Sequence, residues 1–130
     1  MNVVLILHGW GVGSKTWARV KDILEGRGYK VYAPDLPGFG ENIPLAKPWS
    51  IDDYVDWIKS YCEKNGLSRF FLLGHSFGGG LAVKFTNNFP EQVESLVLVA
   101  PKLHRQKTFR YYGGLILAKI GKLIFLRPKT

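Results

Sequence analysis

Arg69-Phe70-Phe71-Leu72-Leu73-Gly74-His75-Ser76-Phe77-Gly78-Gly79-Gly80 is the stretch whose reading decides the fold. An apolar run leads directly into a serine that has a glycine two residues away on either side. Such a pattern suits a strand entering a helix through a turn so tight that its central residue is strained and neighbouring side chains would collide. Gly74 and Gly78 remove those side chains, which would leave the Ser76 hydroxyl standing above the end of the strand. Gly79 and Gly80 would let the following helix pack close. A bare Gly-x-Ser-x-Gly arises often by chance, so its surroundings must carry the reading.

Those surroundings alternate strand and helix. Val3-Val4-Leu5-Ile6-Leu7 is a continuous apolar run, as expected of a strand buried on both faces. Ser14 is expected to cap a helix in which Trp17, Val20 and Leu24 recur at helical spacing, stopping near Gly26 and Gly28. Tyr29-Lys30-Val31-Tyr32-Ala33 reads as a second strand, halted by Pro34, and the Pro/Gly-rich loop from Asp35 to Gly40 follows. Ser50 with Asp53 three residues on signals a capping box, opening a helix with Ile51, Tyr54, Val55, Ile58 and Tyr61 on one face. After the strand before Ser76 comes a helix carrying Leu81, Ala82, Phe85 and Phe89, stopped by Pro90, and then a fourth strand, Ser95 to Ala100. The alternation predicts an α/β fold: a parallel sheet with helices on both faces and right-handed crossovers. In such a sheet ligands bind outside the carboxyl ends of the strands, where the loops after Leu7, Ala33 and Leu73 would converge.

Composition narrows the function classes. At 130 residues and 46% apolar, the chain can bury a core. The ten Lys/Arg and ten Asp/Glu of residues 1–100 cancel, so the net charge of +8 resides entirely in residues 101–130. The basic character therefore belongs to a tail, which argues against a nucleic-acid-binding body. Cys62, the single cysteine, excludes an internal disulfide and reads as a buried apolar filler, consistent with a reducing, cytoplasmic setting. Met1-Asn2 leads straight into the first strand without the basic start of a secretory leader.

Gly9-Trp10-Gly11-Val12-Gly13-Ser14-Lys15-Thr16 superficially resembles a phosphate-binding loop, but Ser14 stands where that loop needs glycine. No group of His, Cys and carboxylates has metal-ligand spacing, so neither a metal nor a cofactor is expected.

A strand ending in His8-Gly9-Trp10-Gly11, a second leading into Pro34-Asp35-Leu36-Pro37-Gly38-Phe39-Gly40, a third ending in Gly74-His75-Ser76-Phe77-Gly78-Gly79 and a fourth reading Leu96-Val97-Leu98-Val99-Ala100-Pro101 together resemble the α/β-hydrolase fold. The resemblance covers roughly residues 2–101, as the N-terminal part of that core. It implies that Ser76 is a nucleophile for a carboxylic ester or related small acyl substrate. It implies an oxyanion hole from the backbone N–H groups of Phe77 and Trp10, with Gly9 and Gly11 allowing close approach. His8 is expected to shape that loop, Asp35 to bond the turn after it, and His75 to pack beside the site. A serine at the elbow disfavours the dehalogenase and epoxide-hydrolase chemistries of this fold, which use aspartate there.

In that family the chain order is serine, acid, histidine. No Asp or Glu follows Ala100, and His104, the one histidine beyond His75, falls too early to be expected as the base. The chain is therefore read as a truncated form whose activity needs a complementing C-terminal segment. Residues 102–130 form a basic stretch in which Tyr112, Leu115, Ile116, Ile120, Leu123 and Ile124 recur at helical spacing, placed where the family has its lid. Its longest uncharged run, Tyr111 to Ala118, is too short to span a bilayer, though a basic amphipathic helix can make weak contact with a membrane surface. A non-catalytic binding or membrane-peripheral module that keeps the hydrolase half-fold is the alternative reading.

Overall fold

A computed structural model describes residues 1–103. His104, which falls too early in the chain to be expected as the base, and the lid reading of 102–130, beyond its first two residues, lie outside the described residues.

Four parallel strands form one sheet: β1 (Val3–Leu7), β2 (Lys30–Tyr32), β3 (Phe70–His75) and β4 (Val93–Val99), in the order β2-β1-β3-β4. Three helices, α1 (Ala18–Glu25), α2 (Ile51–Lys64) and α3 (Phe77–Asn88), connect them. Because the chain steps from β1 outward to β2 and then returns to the other side of β1 for β3, the direction of winding reverses between β1 and β3. Their carboxyl ends flank the crevice where ligands bind in open α/β sheets. Leu7 lies beside Gly74 in the register, so the loop after β1 emerges next to the turn after β3.

The alternation of side chains in β1 and β3 explains the two cores. Leu5, Leu7, Phe70 and Leu72 pack with Val55, Ile58 and Cys62 of α2 and with Leu81, Ala82 and Phe85 of α3. Val4 and Ile6 face the other way, against Trp17, Val20 and Leu24 at α1. Both faces of the central strands are thus covered, as the continuous apolar runs required. Among the described residues, coverage fails at β4, where Val97 and Val99 are 47% and 40% exposed.

The capping box forms as expected: Asp53 N–H donates to Ser50 Oγ at 3.1 Å, and Ser50 N–H donates back to Asp53 Oδ2 at 2.7 Å. Ile51, expected on the buried face of α2, is instead 45% exposed at the helix start. Ser14 does not cap a helix. It opens a 3-10 turn, Ser14–Trp17, and α1 begins only at Ala18, with no side-chain cap. The Ser14 N–H is engaged by Asp35, which ties this residue to the loop after β2 rather than to α1. β4 starts at Val93, earlier than the apolar pattern suggested, because an irregularity between Phe70 and Phe71 lets Val93 pair with Phe70. Ala100 lies outside the strand, at φ 42°.

Candidate active site

Ser76 sits at the junction of β3 and α3 with φ 51° and ψ −114°, a conformation that a residue with a Cβ rarely adopts. The flanking glycines make it possible. A Cβ on Gly74 would lie 2.5 Å from the Gly78 carbonyl oxygen and 2.8 Å from Ala82 Cβ. One on Gly78 would run into the carbonyl oxygens of Leu7 and His8, so the first turn of α3 rests directly on the end of β1. Gly79 and Gly80 are equally constrained, by Pro101 and by the Lys102 carbonyl.

That last contact reveals a buttress that the sequence did not announce. The Ser76 carbonyl accepts N–H groups from Gly79 at 3.0 Å, Gly80 at 3.2 Å and Lys102 at 2.8 Å, while its own N–H donates to Val99 at 3.0 Å. The strained turn at Ala100 carries the chain back over the elbow to make these bonds. Its only sequence signal was Pro101 directly after an apolar strand.

The Ser76 hydroxyl makes no hydrogen bond among the described residues. Two backbone donors flank the elbow in the chain and the fold, one directly after Ser76 and one directly after Gly9, whose Cβ position lies 3.5 Å from Ser76 Cβ. Phe77, first residue of α3, has an N–H with no acceptor inside the helix, at the end where the helix dipole favours negative charge. Trp10, on the loop after β1, has an N–H without an acceptor among the described residues. Its indole is 67% exposed yet held edge-on by two rings, Phe39 at 4.9 Å and Phe77 at 5.1 Å between centroids. Tyr54 meets the Phe77 ring edge-on at 5.3 Å and donates its hydroxyl to the Pro37 carbonyl at 3.0 Å. The sequence reading has Tyr54 only on a helix face and Phe39 only in a loop, because the aromatic contacts that bring them to the site join separate segments. A cleft of about 390 Å³ opens beside these rings, lined by Trp10, Ile51, Phe77, Gly80, Lys102 and Leu103.

The remaining candidates divide by position. Gly9 packs against the elbow: a Cβ there would be 2.9 Å from His75 Nδ1 and 3.5 Å from Ser76 Cβ. Gly11 takes φ 72°, the left-handed turn that glycine accommodates at no steric cost. His75 turns to the α1 side of the sheet, its ring 5.8 Å from that of Trp17. His8 is buried, and both ring nitrogens are engaged. Nε2 accepts the Leu36 N–H at 2.9 Å, which places the proton on Nδ1, where it donates to the Gly9 carbonyl at 2.8 Å. Asp35 does bond the turn that follows it, through the Glu41 N–H at 2.8 Å, and also reaches the Ser14 N–H. Partial burial would raise its carboxyl pKa, but the N–H bonds from Ser14 and Glu41 outweigh that and hold it below the usual range. Cys62 is buried in the α2 core, and desolvation pushes its thiol up to about 12, which makes it inert. Glu91 and Glu94 follow Ser76 in sequence but lie at the opposite end of the sheet, where Glu94 pairs with Arg69 at the start of β3.

Comparison with known proteins agrees with this fold. The family model for the alpha/beta hydrolase fold matches residues 2–115. A 2-hydroxy-6-oxononadienedioate/2-hydroxy-6-oxononatrienedioate hydrolase of Escherichia coli is 37% identical over 102 residues, covering 75% of this chain and 35% of that protein. The crystal structure of a probable hydrolytic enzyme from Pseudomonas aeruginosa superposes with a TM-score of 0.73 at 36% identity, over 77% of this chain and 32% of that one. An esterase from Exiguobacterium antarcticum superposes at 0.74 with 27% identity, over 78% of this chain and 38% of its own. The chain spans about a third of the length of the curated relatives it matches.

Proposed function

The chain belongs to the α/β-hydrolase fold family, and from that premise we propose that Ser76 is the nucleophile of a serine hydrolase acting on a carboxylic ester or related acyl compound. The observation that carries this reading is the strained elbow at Ser76, whose hydroxyl and the N–H groups of Phe77 and Trp10 have no hydrogen-bond partner among the described residues. Ser76 Oγ attacks the acyl carbon, and the carbonyl oxygen becomes an oxyanion that those two N–H groups stabilise. Collapse of the tetrahedral intermediate breaks the bond to the leaving alcohol, which departs with the proton taken from Ser76. Water then cleaves the acyl-enzyme and restores the hydroxyl.

A base must take the Ser76 proton, and neither nearby histidine is suited to it. His8 has no free nitrogen, and His75 is turned toward Trp17. We assign the base and its orienting acid to a complementing segment C-terminal to the residues described. A small apolar acyl or alcohol group would occupy the cleft between Trp10, Phe77, Ile51 and Leu103. The esterase likeness supports an ester; the likeness to the dienedioate hydrolase supports a related acyl compound.

The test is covalent labelling of the full-length protein with a fluorophosphonate probe. Ser76 is expected to label, with the adduct mapped to the peptide containing it, and Ser76→Ala to stay unlabelled. A full-length protein that neither labels at Ser76 nor hydrolyses p-nitrophenyl esters would return the chain to the binding-module reading.

A further inference from the structure

Besides an exposed ion pair, the loops after β1 and β2 are joined by two buried or part-buried hydrogen bonds running in opposite directions. The first comes from Leu36 N–H to His8 Nε2, at the near end of the β1 loop. The second comes from Ser14 N–H to Asp35 Oδ1, at the far end of the same loop. Asp35 spends its other oxygen on Glu41 N–H, and its backbone carbonyl accepts Asn42 Nδ2 at 2.7 Å, so the carboxylate is rigidly based in its own loop.

The space for this carboxylate is built on both sides. A Cβ on Gly13 would come within 2.8 Å of Asp35 Oδ1, and one on Gly40 would overlap the carboxyl group itself. Outside it, Lys15 pairs with Glu41 at 2.6 Å, again one residue from each loop. The charged and titratable groups facing the carboxylate are His8, Lys15 and Glu41.

Trp10 lies between the two fastened ends. We infer that Asp35 is a positioning residue for the proposed oxyanion hole: by latching Ser14 it fixes the β1 loop and with it the Trp10 N–H. Without the latch the loop would be held at His8 and by the edge-on contacts of the Trp10 ring alone, and rotation at Gly11 and Gly13 could shift the Trp10 N–H. Loss of one oxyanion donor costs roughly 100- to 1,000-fold in rate, so a loosened donor is expected to cost about 10-fold or more. This inference rests on the serine-hydrolase reading for its consequence, but not for the latch itself.

Two measurements on the full-length protein separate the two. In ¹H–¹⁵N spectra recorded against pH, the Ser14 and Glu41 amides are expected to titrate together, below the ordinary carboxylate range, with the Trp10 amide following them. Asp35→Asn should abolish the common titration. A Ser14 or Trp10 amide that ignores the titration overturns the latch. In the second measurement, folded Asp35→Asn protein is expected to label with fluorophosphonate about 10-fold more slowly at saturating probe, with the half-saturating concentration unchanged. Labelling at the wild-type rate overturns the positioning role. If wild-type protein fails to label at Ser76, the hydrolase reading falls instead, and the amide titration still decides whether the latch exists.

Discussion

Ser76 holds a backbone conformation that comes at the expense of stability. A non-glycine residue in a sparsely populated region costs of order 1–3 kcal/mol, sustained here by bonds to Val99, Gly79, Gly80 and Lys102. Ser76→Gly should therefore stabilise the protein by about 1 kcal/mol, whereas Ser76→Ala, which keeps the Cβ and the strain, should stay within about 0.5 kcal/mol of wild type. Urea unfolding of the two variants side by side checks this, and equal stabilities would contradict it. The strain was legible in advance, because Gly74 and Gly78 are near neighbours of Ser76 in the chain. Asp35 was legible only in part. Its bond to Glu41 is local, but its bond to Ser14 crosses 21 positions and depends on β1 and β2 being adjacent. The depressed pKa of Asp35 has a direct consequence for acid stability. A carboxyl whose folded pKa lies below the unfolded value of about 3.9 contributes stability above that pH and loses it as pH falls through the folded value. Asp35→Asn should thus be less stable than wild type at neutral pH. The gap should close below about pH 4, as measured by denaturant unfolding across the acid range.

At the scale of elements, local chemistry and tertiary register compete to set boundaries. The α2 helix begins where its sequence says, because Ser50 and Asp53 satisfy each other's backbone groups without outside help. Ser50→Ala removes the acceptor of the Asp53 N–H and should destabilise the protein by about 1 kcal/mol, with Ser50→Asp recovering most of the loss. Thermal unfolding of both variants tests the pair, and an unaffected Ser50→Ala would mean the cap is dispensable. The start of α1 departs from its local signal for the opposite reason: Ser14 has the right chemistry for a cap, but Asp35 claims its N–H and the chain first makes a 3-10 turn. β4 likewise lengthens beyond its apolar run because pairing with β3, through the irregularity at Phe70 and Phe71, recruits Val93.

At the scale of the whole molecule, periodicity identified parallel strands buried on both faces, but it could not reveal their order or where coverage stops. Strand order follows from crossovers that no local pattern encodes, and it is this order that brings Gly9 against Ser76. Coverage stops at β4. Val97 pairs in register with Leu73, on the face that α1 shields farther along the sheet, and α1 does not reach it. Among the described residues the outer edge of β4 pairs with no strand, and Val97, Leu98 and Val99 are all at least 36% exposed. An apolar strand exposed on both faces and open along its edge is a site for self-association. Val97→Lys places a charge in the centre of that surface while removing little buried contact. It should lower the concentration-dependent association of the 130-residue chain in sedimentation velocity, with a stability change within about 0.5 kcal/mol. Association that persists unchanged in Val97→Lys would exclude β4 as the adhesive surface. A large loss of stability would instead show that Val97 is packed against residues beyond those described.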